Sequence, residues 1–388
     1  MDVARARADT PGVEQVAHLN NAGAALSPEP VLEAVFEHLR REATIGGYEA
    51  KAEREERIEH SYDAIARLIG SERDEIAIVE NATRAWDMAF YSLQLQAGDR
   101  ILTTHAEYAS NYIALRQVAD RTGAAVVVVP DDEHGQVDVG ALAPMLDERV
   151  KLVSLVHVPT QGGLVNPAAA VGALTRAAGV PLLLDACQSV GQMPVDVGAI
   201  GCDMLSATGR KFLRGPRGTG FLYVRRDLIE GLEPPLLDLH AAEWQADGSY
   251  RIRPDARRFE NWETNYATKI GLGVAVDYAL EWGLEAIRER VYALAAQLRE
   301  RLGATAGVTV HDRGEELCAI VTFSVAGHTT EEVVGTLVAD GINVSLSPGI
   351  HSRLDLGRRG LESVVRASVH YYNEPAELDR LVERVARL

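Results

Sequence analysis

Val180-Pro-Leu-Leu-Leu-Asp185-Ala-Cys-Gln188 and the later stretch Asp203-Met-Leu-Ser-Ala-Thr-Gly-Arg-Lys211 decide the fold. Each begins as a short apolar run of the kind that forms a buried strand. The first run ends in a carboxylate. The second leads through a Gly-rich turn to an amine. An acid at one strand end and an amine just past the next suit pyridoxal phosphate (PLP). Its aldehyde forms a Schiff base with a lysine, and its ring nitrogen is held protonated by an aspartate. Lys211 and Asp185 are therefore the candidate catalytic residues.

The same pattern extends outward in both directions. Further strand-like runs are Ile76–Val79, Arg100–Thr103, Ala125–Val129, Leu152–His157 and Gly220–Val224. Helix-like segments fall between most of them, including Trp86–Leu95, Ser110–Thr122 and Pro167–Ala178. This alternation predicts an α/β fold with a mainly parallel seven-stranded sheet in a large domain. Ligands of such sheets gather beyond the carboxyl ends of the strands. Residues 28–68 read as two helices separated by Gly46-Gly47-Tyr48, and one long helix is expected from Thr268 to Gly303. A small C-terminal α/β domain should follow: strand Ala319–Phe323, helix Thr330–Asp340, loop Ser345–Gly360, strand Val364–His370 and helix Pro375–Leu388. The chain has 388 residues, and single cores rarely extend beyond ~250–300. The expected division is an arm over 1–27 that joins the small domain, a PLP-binding domain over 28–265, and a linking helix with the small domain over 266–388.

A net charge of −17 disfavours nucleic acid and anionic membrane as partners. No run approaches the ~20 apolar residues of a membrane span, and residues 1–17 lack an apolar signal core. The three cysteines, Cys187, Cys202 and Cys318, form no CxxC pair and read as reduced thiols of a cytoplasmic protein. Histidines show no metal-binding spacing such as HExxH. Besides Lys211 there are only Lys51, Lys151 and Lys269, which read as surface groups.

Thr208 can offer a hydroxyl to a phosphate, and the glycines around Lys211 let backbone approach a bulky ligand. The Gly215/Gly218/Gly220 spacing leads into a strand rather than a helix, which excludes a dinucleotide loop. Gln188 can offer its amide to the cofactor's phenolic oxygen. Asn81-Ala82-Thr83 opens a helix after a strand, either as a plain N-cap or as a cradle of N–H groups for phosphate. Tyr108 is either a packed loop aromatic or a ring stacked on the cofactor, and His157 has a similar station. Arg366, inside the apolar strand Val364–Val369, must have an anionic partner. That partner is either a structural carboxylate or the carboxylate of a substrate.

These residues resemble the class V aminotransferases of PLP fold type I, the group of cysteine desulfurases, kynureninase, isopenicillin N epimerase and C–S lyases. The marks are Asp185-Ala-Cys-Gln188, Gly209-Arg-Lys211, Arg258-Phe-Glu260 and Arg366-Ala-Ser with Tyr372-Asn373. The resemblance runs from about Leu19 to the C-terminus. It implies Lys211 as the Schiff-base lysine, Asp185 under the ring nitrogen and Gln188 near the ring oxygen. It implies the Ala82-Thr83 helix start and Thr208 at the phosphate, Tyr108 on the ring, and Arg366 on the carboxylate of an amino acid substrate. It further implies a homodimer in which the Phe259–Asn265 segment, with Thr264, reaches the neighbour's phosphate site.

Two departures stand out. The loop Ser345–Arg353 contains no Cys, where desulfurases carry a nucleophilic one, and Cys187 and Cys318 are not expected to receive a persulfide. Arg210 stands where desulfurases usually have His. Gly46-Gly47-Tyr48 and the Gly209–Gly218 turn look more like hercynylcysteine sulfoxide lyases. The expected function is therefore a PLP-dependent C–S lyase that eliminates sulfur from a cysteine conjugate or its sulfoxide, releasing pyruvate and ammonia. Transamination, epimerisation and decarboxylation-coupled deamination are the alternatives, with a persulfide-forming desulfurase behind them. A binding protein without turnover would have no need of the Lys–Asp–Arg set.

Overall fold

The apolar runs between Ile76 and Val224 form one seven-stranded sheet in the computed structural model, which describes residues 1–388. Across the sheet the strands are Ile76–Val79, Gly220–Val224, Met204–Thr208, Leu182–Asp185, Val150–Val156, Arg100–Thr104 and Ala125–Val129. Only Gly220–Val224 runs antiparallel, to both of its neighbours. The five strands beyond it are mutually parallel. The central runs are continuously apolar because helices cover both faces, so no alternation with polar residues is needed. Their carboxyl ends bring Thr104, Val156, Asp185 and Thr208 to one edge of the sheet.

A second sheet is four-stranded and antiparallel, in the order Val308–Val310, Ile320–Val325, Ser363–Ser368 and Ser345–Pro348. The short strand Ala17–His18 pairs in parallel with Ile342–Asn343. The largest apolar cluster runs through both sheets, from Leu184 to Val365.

Several sequence expectations need correction. Residues 29–69 form three helices, not two: Glu29–Ile45, Gly47–Glu53 and Glu55–Ile69. The helix expected over Thr268–Gly303 is two, Tyr266–Trp282 and Leu284–Gly303, because Gly283 adopts a φ of +80° that ends the first. The helix placed at Trp86–Leu95 is Ala82–Phe90. The loop Ser345–Gly360 begins as an edge strand, Ser345–Pro348, paired so that Ser345 lies opposite Arg366.

Lys269 is not a surface group but lies buried. Its ammonium donates to Tyr62 Oη at 2.8 Å and pairs with Glu260 at 3.2 Å. Glu260 also accepts the Ile78 N–H at 2.7 Å. Burial opposes its ionisation, but Lys269, His240 and that N–H outweigh it and hold Glu260 at about 2. Arg258 caps the carbonyls of Ile229, Leu232 and Arg253. The Arg258-Phe-Glu260 motif therefore ties a loop to the sheet edge, a structural task.

Candidate active site

A cavity of about 390 Å³ opens at the carboxyl edge of the large sheet. Its wall brings together Asp185, Gln188, Lys211, Tyr108 and the helix start Asn81-Ala82-Thr83. Four strand ends supply these residues, those of Ile76–Val79, Arg100–Thr104, Leu182–Asp185 and Met204–Thr208. The Asn81 side chain caps its helix by accepting from the Arg84 N–H. Gly220 makes that approach possible: a Cβ there would lie 2.6 Å from the Asn81 backbone.

Asp185 is buried, and its two oxygens accept from neutral groups only: the Cys187 N–H at 3.0 Å and Asn111 Nδ2 at 3.0 Å. The carboxylate lines the cavity without a protein cation bonded to it. Lys211 is buried in the same wall. Burial lowers its pKa, opposed by the Cys187 thiol and the Asp185 carboxylate. Gln188 donates to the Ala22 carbonyl and to Thr160 Oγ1, while its own carbonyl oxygen is buried without a partner.

Of the two partners that the sequence left open for Arg366, the structural carboxylate is absent. The arginine is buried at 7 % exposure and meets no carboxylate. Its fork donates to Thr160 O at 3.0 Å, Thr160 Oγ1 at 2.7 Å and Asn20 Oδ1 at 3.2 Å, and its Nε has no partner. Burial pushes its pKa down to about 10. A buried guanidinium held only by neutral oxygens calls for an external anion.

Not every expected residue faces the cavity. Thr208 lies behind the wall, where its single proton goes to the Thr219 carbonyl at 3.1 Å. Its oxygen accepts from Arg210, and it is Arg210 that lines the cavity. Thr264 lines two other cavities, one of them with Tyr48 and Glu263. His157 is turned into the protein, and Val156 and Val158 on either side of it reach the wall. Sequence reading missed Thr160, Asn20 and Asn111, whose only signal is a position just after or near a strand end. It also set Cys187 aside, although that residue lines the cavity.

Burial pushes His157 down to about 4, so the folded protein refuses a proton that the unfolded chain binds near its usual pKa of ~6.5. Stability should therefore be present above about pH 6.5 and fall as pH drops toward 4, with about 3 kcal/mol lost through this residue. Urea unfolding across that range would show it. His157→Gln should flatten the slope, and an unchanged slope would count against this assignment.

The residues present fit PLP with an amino acid substrate. An uncommitted carboxylate stands across from a buried amine, a helix start and Arg210 offer an anion site, and an unpaired guanidinium waits beside them.

The aminotransferase class-V model matches residues 17–381. A Mycobacterium leprae protein described as probable cysteine desulfurase 2 is 32% identical, covering 100% of this chain and 96% of its own. A probable cysteine desulfurase of Halobacterium salinarum is 31% identical, over 99% of this chain and 96% of its own. Among solved structures, the apo cysteine desulfurase of Thermococcus onnurineus superposes with a TM-score of 0.91 at 25% identity, covering 99% and 97% of the two chains. These findings overturn the expected order of functions. The C–S lyase eliminating from a cysteine conjugate, inferred from the absent loop cysteine, Arg210 and the two Gly-rich stretches, gives way to the reaction named for these relatives.

Proposed function

The chain belongs to the aminotransferase class-V family, and from that premise we propose that it removes sulfur from L-cysteine as a PLP-dependent desulfurase. PLP, the cofactor of this family, captures the substrate's amino group and takes up the electron pair left at Cα when it is bound. Lys211 and Asp185 would hold its two ends of charge, with Ala82, Thr83 and Arg210 at its phosphate, Gln188 at its ring oxygen and Tyr108 against its face. Arg366 would take the cysteine carboxylate as a two-pronged clamp, steadied by Thr160 and Asn20.

Lys211 is the proton carrier. Its lowered pKa favours the neutral amine that accepts the proton from Cα. The same amine then gives that proton to Cβ, and the proton lost by the acceptor thiol restores the one at Cα. The Cβ–S bond breaks as an S–S bond forms to an acceptor thiol. The products are alanine and a persulfide, so carbon is reduced while sulfur is oxidised and no outside reductant is consumed. Within the chain, burial pushes Cys187 up to about 11 and Cys202 and Cys318 up to about 12, which leaves all three protonated. The acceptor thiol therefore belongs to another molecule.

The observation that carries this reading is the unpaired Arg366 beside the Lys211–Asp185 cavity, in a chain that matches desulfurases along its whole length. Incubation of the holoenzyme with L-cysteine and excess dithiothreitol should yield alanine and sulfide in equal amounts. Pyruvate and ammonia in place of alanine would overturn it.

The assembly belongs to the same proposal. A homodimer would let Thr264 serve the neighbour's phosphate, and the open cavity it shares with Tyr48 and Glu263 gives room for a second chain. The unpaired cysteines agree with a cytoplasmic setting. No helix is long and apolar enough to cross a membrane.

A further inference from the structure

One buried carboxylate close to the cavity has no part in the scheme above. Glu107 follows the strand Arg100–Thr104 and is 3 % exposed. One of its oxygens accepts the Tyr108 N–H at 2.8 Å and Asn111 Nδ2 at 3.0 Å. The other meets the hydroxyls of Thr103 at 2.7 Å and Ser154 at 2.8 Å. No cation faces it. The charged group nearest in effect is Asp185, a like charge.

The hydrogen bonds decide the charge of Glu107. Two of its four neighbours are N–H groups that can only donate. If the acid kept its proton, one of the two hydroxyls would have to accept it. That hydroxyl's own proton would then be stranded in a buried site, since neither has another partner. Burial, with Asp185 behind it, raises the pKa of Glu107 on balance against the bonds from Thr103, Ser154 and Asn111, yet only the ionised form satisfies every donor.

Asn111 joins this carboxylate to the one in the site. Its amide nitrogen has two protons, one directed at Glu107 and the other at Asp185 Oδ2, each at 3.0 Å. We propose that Glu107 is a positioning residue whose charge, relayed through Asn111, supports Asp185 in keeping the cofactor's ring nitrogen protonated. Two negative charges on one amide favour a cation at the only open side of the pair, which is the cavity. Because the arrangement is buried, salt screens it little. The other charged or titratable groups lining the cavity with Asp185 are Lys211, Cys187, Arg210 and Tyr108. None of these side chains bonds to Glu107, so its charge has no other counterpart.

The inference rests on the PLP reading, and the test separates the two. The protein is loaded with PLP carrying ¹⁵N in its ring, and the nitrogen resonance is followed against pH. In Glu107→Gln the pH at which the nitrogen loses its proton should fall by about one pH unit or more. Glu107→Asp, which keeps the charge, should remain closer to the parent. An unshifted midpoint in Glu107→Gln would overturn the inference, and failure to bind PLP at all would overturn the reading beneath it. If Glu107→Gln does not fold, infrared spectra of the parent holoenzyme at neutral pH decide the matter. No buried protonated-carboxyl band is expected, and such a band, lost in Glu107→Asp, would overturn the proposal.

Discussion

Replacing Lys211 by alanine is expected to remove turnover and the visible colour of the holoprotein together. The amine is the only lysine in the cavity wall, since Lys269 is committed to Glu260 elsewhere. Loss of a general base alone costs about 10²–10⁴-fold. Loss of the covalent anchor comes on top, so kcat should fall by at least about 10³-fold. The fold should survive. Lys211 makes no ion pair that the surrounding structure relies on, and burial already disfavours its charged form. Absorbance of the purified variant with added PLP and a single-turnover assay with L-cysteine measure both effects. A variant that stays coloured, or that keeps activity within tenfold, would remove Lys211 from the role given to it.

The second large effect concerns the substrate rather than the cofactor. Arg366→Ala should leave the colour intact and raise the KM for L-cysteine by about a hundredfold, since truncating one partner of a buried charge pair costs about 2–5 kcal/mol. Lysine should not substitute. The guanidinium reaches Thr160 O, Thr160 Oγ1 and Asn20 Oδ1 at once through a planar fork, and a single ammonium cannot hold those positions while it also grips a carboxylate. Steady-state kinetics of both variants with L-cysteine provide the measurement. An unaltered KM in Arg366→Ala would return this residue to a structural role.

Much of the fold was legible because it rests on local signals. Apolar runs that stop at Asp185 or at Thr208 announce buried strands and the edge where they end. The demand of Arg366 for an anion was legible too, since an arginine in an apolar strand is costly anywhere. Glu107, Asn111 and Thr160 were not. Asn111 reaches Asp185 and Thr160 reaches Arg366 only after folding, Glu107 acts through Asn111, and neither spacing nor residue type reveals those bonds. Lys269 was misread for the same reason, because its partners Tyr62 and Glu260 meet only after folding. The break at Gly283 was missed because one glycine within a helical pattern can be absorbed, and only its positive φ shows that it was not. The reaction was the weakest part. A missing loop cysteine, Arg210 and two Gly-rich stretches are local marks, and the cysteine bears on where sulfur goes more than on whether it leaves.

The Arg366 clamp has a consequence for how this protein is made. It is closed by Asn20 near one terminus and by Arg366 near the other, with Thr160 between. During synthesis Lys211 emerges from the ribosome well before Arg366 does. Under the proposed function, a chain stopped between residues 211 and 366 would carry the anchoring amine and lack the grip on cysteine. On the same reading, competence to consume cysteine would wait until residue 366 has joined the fold beside Thr160 and Asn20.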